Sequence, residues 1–201
     1  DGMSTQYDCL VRGGQAVTPA GLREVDIAIR DGRIADLGAI DPGRAGEVVD
    51  ATGLTVLPGV IDTQVHFREP GATHKEDLES GTRAAALGGV TSVFEMPNTK
   101  PPTTDADALS DKFARCAGRA WVDHAFFVGG TPDNAANVAE LERLPGCAGI
   151  KVFMGSSTGS LLVEDDDHLD VIARHARRRF AVHAEDEPRL RERRALVEGG
   201  A

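Results

Sequence analysis

The sequence predicts an α/β protein in two parts. Residues 1–55 read as the N-terminal part of a small β-sandwich-like domain, and residues 56–201 as the first part of a (β/α)8 barrel, about five βα units long. Short alternating runs with tight turns fill the first part. From Val56 onward, near-continuous apolar runs alternate with amphipathic ones, the pattern of parallel strands buried on both faces and separated by helices. The distinctive polar residues fall at the ends of those runs, where barrels and open α/β sheets both place their ligands.

In the first part, "YDCLVRGGQAV" reads as strand, Gly-Gly turn, strand. "EVDIAIRDGRIADLGAI" alternates through Val25, Ile27 and Ile29, turns at Asp31-Gly32 and continues from Ile34 to Ile40. Asp-Gly between alternating runs is a strong hairpin signal. "GEVVDATGLTVLPG" adds further strand.

In the second part, "TVLPGVIDTQVHF" reads as the first barrel strand. A helix follows in "THKEDLESGTRAAALGG", opened by a capping box of Thr73 and Glu76 and closed by Gly88-Gly89. Then come "VTSVFEMPN" (strand), "DADALSDKFARCAG" (helix), "AWVDHAFFVGG" (strand), "DNAANVAELERLPG" (helix) and "CAGIKVFMGSS" (strand). "EDDDHLDVIARHARRR" (helix), "FAVHAEDE" (strand) and a last helix with Pro188 in its first turn complete the order. Five units fall short of the eight of a closed barrel, which takes roughly 250 residues. An open doubly wound sheet is the alternative. It would carry a Gly-rich phosphate loop after its first strand, but this strand ends in His-Phe-Arg-Glu-Pro-Gly.

Composition narrows the function. The formal charge is −10, from 22 basic and 32 acidic residues, which argues against nucleic acid as a partner. The run Glu164–Asp167 opens a helix and lacks the spaced oxygens and glycine turn of a calcium loop. The 3 cysteines, Cys9, Cys116 and Cys147, are widely spaced and give no disulfide framework or C-x-x-C pair. No apolar run reaches membrane-spanning length, so no membrane partner is expected and the cytoplasm is the expected compartment. Met3 is the expected natural start.

Asp62, Gln64, His66 and Arg68 share one side of the first barrel strand by its period of two, with Val65 and Phe67 on the other. Met96-Pro97-Asn98-Thr99 follows the second strand, Lys151 lies inside the fourth and His183 inside the fifth. Each has a plain structural reading: a satisfied histidine, a lysine near solvent, a turn asparagine, a local Arg68–Glu69 surface pair. Four successive elements placing such groups at one rim point instead to a site. A lysine in an apolar strand is costly as an ammonium, and burial lowers its pKa. The neutral amine can take up CO2 to form a carbamate, whose two oxygens can bridge two metal ions. His66 and His183 would add imidazole nitrogens, which suit zinc.

"LPGVIDTQVHFREPG", "THKEDLESGTRAAALGGVTSVFEMPNTKPPTT", "GIKVFMGSSTG" and "VHAEDE" together resemble dihydroorotases of the amidohydrolase superfamily, in a Gln-x-His variant, over nearly the whole chain. The resemblance implies interconversion of dihydroorotate and N-carbamoyl-L-aspartate in pyrimidine biosynthesis, with a small-molecule substrate and a homo-oligomer. It implies two zinc ions bridged by carboxylated Lys151, with His66 and His183 as further metal ligands. Arg68 and Asn98 would hold the substrate carboxylate. The family's usual H-x-H pair is here Gln64-Val65-His66, and an amide oxygen is a weaker zinc ligand than imidazole. The family's next His ligand and its catalytic Asp, expected after the sixth and eighth strands, have no counterpart in these residues, so the proton carrier stays unassigned and a longer protein is expected. Two alternatives stand beside dihydroorotase. One is another cyclic amidohydrolase, of the hydantoinase or allantoinase type. The other is a metal-free scaffold subunit associated with aspartate transcarbamoylase, which Gln64 keeps open.

Overall fold

The computed structural model describes residues 5–155 and 159–199. The expected start at Met3 and residues 156–158 of the "GIKVFMGSSTG" motif lie outside the described residues. The chain divides into two compact units, Asp1–Pro58 and Gly59–Ala201.

The smaller unit contains β1 (Tyr7–Arg12), β2 (Gln15–Thr18), β3 (Gly21–Glu24), β4 (Asp26–Arg30), β5 (Arg33–Gly38), β6 (Ala45–Asp50) and β7 (Thr55–Val56). They form two sheets, ordered β5-β4-β1-β6 and β3-β2-β7. The hairpin at Asp31-Gly32 forms as expected. Both residues have positive φ, 54° and 69°, as a two-residue turn matched to strand twist requires. The Gly13-Gly14 turn is not a hairpin: β1 pairs with β4 and β6, while β2 pairs with β3 and β7. At Gly13 φ is +77° and a Cβ would lie 2.6 Å from Thr52 Oγ1, so only glycine passes between the sheets there. Tyr7, Leu10, Ala28 and Ile40 fill the unit's core.

The larger unit holds β8 (Val60–Val65), α1 (Leu78–Leu87), β9 (Val90–Glu95), α2 (Ala106–Cys116), β10 (Asp123–Gly129), α3 (Val138–Leu141), β11 (Cys147–Phe153), α4 (Asp166–His175), β12 (Phe180–His183) and α5 (Glu187–Glu198). The five strands are all parallel and lie in chain order, β8 to β12. A doubly wound sheet would reverse that order at a switch point. Sequential neighbours joined by helices are instead successive units of a (β/α)8 barrel. On one face Val93, Val128 and Ile150 pack against Leu78, Leu109 and Ile172 of the helices. Each such burial contributes about 1.5–3 kcal/mol. The other face carries Met96, Phe127 and Ala148.

Four local expectations fail. "TVLPGVIDTQVHF" is two strands: β7 pairs with β2, β8 pairs with β9, and Pro58, which has no N–H to give a ladder, stands between them. Helix α1 does not begin at Thr73 with Glu76. Asp77 is its cap, accepting from Ser80 N–H at 2.7 Å, while the Ser80 hydroxyl faces Asp77 N–H in return. Buried Glu69 takes the Leu78 N–H at 2.9 Å, which fixes the start from outside the helix. The helix expected in "DNAANVAELERLPG" shrinks to a 3-10 turn at Ala135–Asn137 and the single turn α3. There Asn134 donates to the carbonyls of Thr104 and Gly129, and buried Glu142 accepts the Arg177 and Arg178 N–H groups. The same bonds end α4 at His175, short of the predicted Arg177–Arg179 turn.

Candidate active site at the strand ends

Parallel strands bring all their C-terminal ends to one side, so the residues after β8, β9, β11 and β12 share a rim. Val65 and Phe67 belong to the helix-facing core. Alternation turns His66 to the opposite face, but a bulge between Asp62 and Val65 interrupts the expected period: Asp62 pairs with Val93 of the helix-facing core and so does not share the side of His66. The alternation does not extend to Arg68. The strand ends at Val65, and Arg68 sits at φ 61°, a left-handed conformation that is strained for a residue with a Cβ.

The loops after β8 and β9 are built together. Met96 N–H donates to Val65 C=O at 2.9 Å, and Lys100 N–H to Pro70 C=O at 2.9 Å. The Pro97 carbonyl accepts from both Thr99 and Thr103 N–H, and the Thr99 hydroxyl donates to Pro101 C=O at 2.8 Å. This folding of "MPNTKPPTT" aims Asn98 at His66: Oδ1 lies 2.8 Å from Nδ1. With an acceptor opposite, Nδ1 carries the proton and Nε2 keeps its lone pair, the arrangement of a metal-ligating histidine. Burial pushes the His66 pKa down. The Asn98 bond pulls it partly back, and the charges of Arg68, Lys151 and Lys112 push it down further. The balance favours the neutral imidazole.

Lys151 lies in β11, a strand buried along its whole length, and is itself 3% exposed. Its Nζ stands 5.0 Å over the Phe153 ring. Among the described residues no carboxylate pairs with it, and burial lowers its pKa from the ordinary lysine value. Phe153 in turn stacks on His183, with centroids 5.9 Å apart. His183 Nε2 is 3.3 Å from Glu185 Oε1. Gly155 permits this turn after β11, since a Cβ there would lie 2.7 Å from Glu185 Cβ.

The expected residues therefore form two groups, His66 with Asn98 and Lys151 with Phe153 and His183. Arg68 is half-buried and has no ion-pair partner among the described residues. Gln64 is exposed, and its N–H donates to Asp62 Oδ1 at 3.0 Å. No group of three His, Cys, Asp or Glu side chains is gathered as a ligand set among the described residues. The donors at the rim are instead two imidazoles and a desolvated amine without a counter-charge. That chemistry fits zinc once the amine carries a carbamate.

Two of the buried carboxylates that sequence reading missed lie beside the ends of β8 and β9. Glu69 does not pair with Arg68; Arg119 forks it at 2.9 and 3.1 Å. Glu95 pairs with Lys112 at 2.9 Å. A signal existed for the second: Lys112 falls within the apolar stripe Leu109, Phe113, Cys116 of α2, where a lysine needs a partner.

Known proteins carry the same framework. The chain is 44% identical over 164 residues to an allantoinase of Rubrobacter xylanophilus, covering 81% of this chain and 36% of that protein. It is 43% identical over 151 residues to an allantoinase of Solibacter usitatus, covering 75% of this chain and 33% of that protein. It therefore spans about a third of the length of these curated relatives. An L-hydantoinase (dihydropyrimidinase) from Arthrobacter aurescens shares its fold with a TM-score of 0.87 and 31% identity, covering 97% of this chain and 45% of that one. The sequential parallel strands and their rim residues fall within residues 55–199, which match the profile of the amidohydrolase family, and the chain belongs to that family.

Proposed function

We propose that the full-length protein is a metal-dependent cyclic amidohydrolase of the allantoinase–hydantoinase kind, opening a ring at an amide C–N bond. The allantoinase and hydantoinase relatives support this ring class over the dihydroorotate ring expected from the motifs. Association with aspartate transcarbamoylase rests on the dihydroorotase reading alone. Residues 1–55 would belong to a β-sandwich-like domain and 56–201 to the first part of the barrel.

The observation that carries the proposal is Lys151, buried without a carboxylate among the described residues, on the face and at the rim that also carry His66 and His183. His66, His183 and Lys151, as its carbamate, would hold the metal. Amidohydrolases typically bind two ions, which activate water and polarise the scissile carbonyl. This chain's residues do the rest. Asn98 Oδ1 holds His66, which leaves its Nδ2 amide hydrogens for an acceptor on the substrate. Arg68 offers a guanidinium fork to an anionic or carbonyl group beside them. Phe153 packs between Lys151 and His183 and keeps water from the amine.

The test is a substrate panel with the full-length protein: allantoin, hydantoins, dihydrouracil and dihydroorotate, with metal content measured in parallel. Preferential opening of the first three rings is expected. Preference for dihydroorotate would reinstate the dihydroorotase reading. Neither metal nor turnover on any ring would leave a scaffold role.

A further inference from the structure

Behind the loop that carries Asn98 lies a buried ion pair that the proposed chemistry does not use. Glu95 ends β9 and Lys112 comes from the middle of α2. Their charged atoms meet at 2.9 Å, with side chains 2% and 1% exposed. Lys112 Nζ also donates to Met96 C=O at 3.3 Å and lies 5.2 Å over the Phe126 ring. Among the described residues, buried Glu95 Oε1 has no hydrogen-bond partner. Burial pushes the Glu95 carboxyl up, while Lys112 pulls it back. The pair therefore touches both strand ends: Lys112 holds Met96, two residues before Asn98, and Glu95 pairs in register with Val65, the residue before His66.

An apolar pair of the same volume would be as stable or more so at this depth, because two charges must otherwise be stripped of water. What an apolar pair cannot do is direct a backbone. The Lys112 bond to Met96 C=O has a direction, and so does the bond to Glu95 that anchors the same ammonium.

We propose that Lys112 and Glu95 are positioning residues: their buried pair fixes the ends of β8 and β9 so that Asn98 meets His66 and holds its imidazole in one tautomer. The value of that tautomer for metal binding rests on the function proposed above. The geometry of the relay does not.

The test uses the full-length protein. The double variant Glu95→Leu with Lys112→Met replaces the pair by an apolar one, and Glu95→Gln keeps the shape while removing the charge. Thermal unfolding identifies which variants fold. Imidazole 15N spectra of metal-free protein above neutral pH report the His66 tautomer, assigned by comparison with His66→Asn. The wild type should show Nδ1 protonated. The folded variants should show a mixture, more so in the double variant, and zinc affinity should fall about 10–100-fold. An unchanged His66 signal in both folded variants overturns the proposal. If His66→Asn leaves zinc binding intact, the metal role of His66 fails, and the tautomer readout still decides the relay.

Discussion

His66 Nδ1 and Asn98 Oδ1 stand 2.8 Å apart, joining by side chains two strand ends that Val65 C=O and Met96 N–H already join by backbone. An asparagine expected only to bind substrate thus also orients a metal-ligand candidate. The two roles separate in kinetics. Asn98→Ala should weaken zinc binding about 10–100-fold as well as raise KM, because the imidazole loses its orienting acceptor. A variant with raised KM and unchanged zinc affinity, measured by chelator competition, would leave Asn98 with the substrate alone.

Lys151 sets stability against function. Lys151→Met keeps the length of the side chain and removes the amine. The metal-free protein should gain about 0.5–2 kcal/mol, as expected where a site residue is retained at a cost in stability. Metal content and turnover should be lost. Lys151→Ala should behave alike in function, and short carboxylic acids should partly restore its activity by taking the place of the carbamate. Wild-type metal content in Lys151→Met would remove the lysine from the site.

Part of this site was legible because alternation is local. His66 against Val65 and Phe67 needs only a period of two, and the Asp31-Gly32 hairpin needs only two residues that accept positive φ, whereas the bulge that turns Asp62 away from them depends on pairing with β9. What failed depended on distant partners. The start of α1 is held by Glu69, nine residues before Leu78, beside its local cap Asp77, and the short α3 by Glu142 reaching Arg177 and Arg178. Glu95 and Lys112 are 17 residues apart and meet only when α2 packs on the sheet. The ring class was not legible for another reason. A histidine, a lysine, an arginine and an asparagine at a barrel rim can hold metal and a polar ring, but these residue types do not distinguish one cyclic amide from the next.

Glu69 gives the fold an acid-sensitive contact. Burial pushes its carboxyl up, but the Arg119 fork and the Leu78 N–H outweigh burial and hold it below the usual value of 4.5. A carboxylate with a lowered folded pKa stabilises fully above its unfolded pKa and loses that contribution as pH falls through the folded one. Glu69→Gln should therefore cost about 1–3 kcal/mol at neutral pH. The deficit should shrink as the pH drops below 4.5, where wild-type Glu69 also gains its proton. Urea unfolding of both proteins at neutral and acidic pH measures this, and a deficit independent of pH would contradict it.

Gly81 sits inside α1, where glycine costs about 1 kcal/mol relative to alanine. Propensity alone would make Gly81→Ala stabilising. The structure predicts the opposite sign. A Cβ at Gly81 would lie 2.3 Å from Phe67 Cδ1 and 2.6 Å from Cε1. Phe67 is buried and packed in the helix-facing core, so its ring has little room to retreat. Overpacking of this kind costs about 1–3 kcal/mol, enough to exceed the gain in propensity. The damage should reach the site, because Phe67 lies between His66 and Arg68 and cannot move without turning both. Gly81→Ala should lower the Tm and reduce kcat/KM of the full-length protein. Adding Phe67→Leu, which withdraws the ring, should recover part of the lost stability. A higher Tm for Gly81→Ala, with activity unchanged, would show that helix propensity dominates at this position.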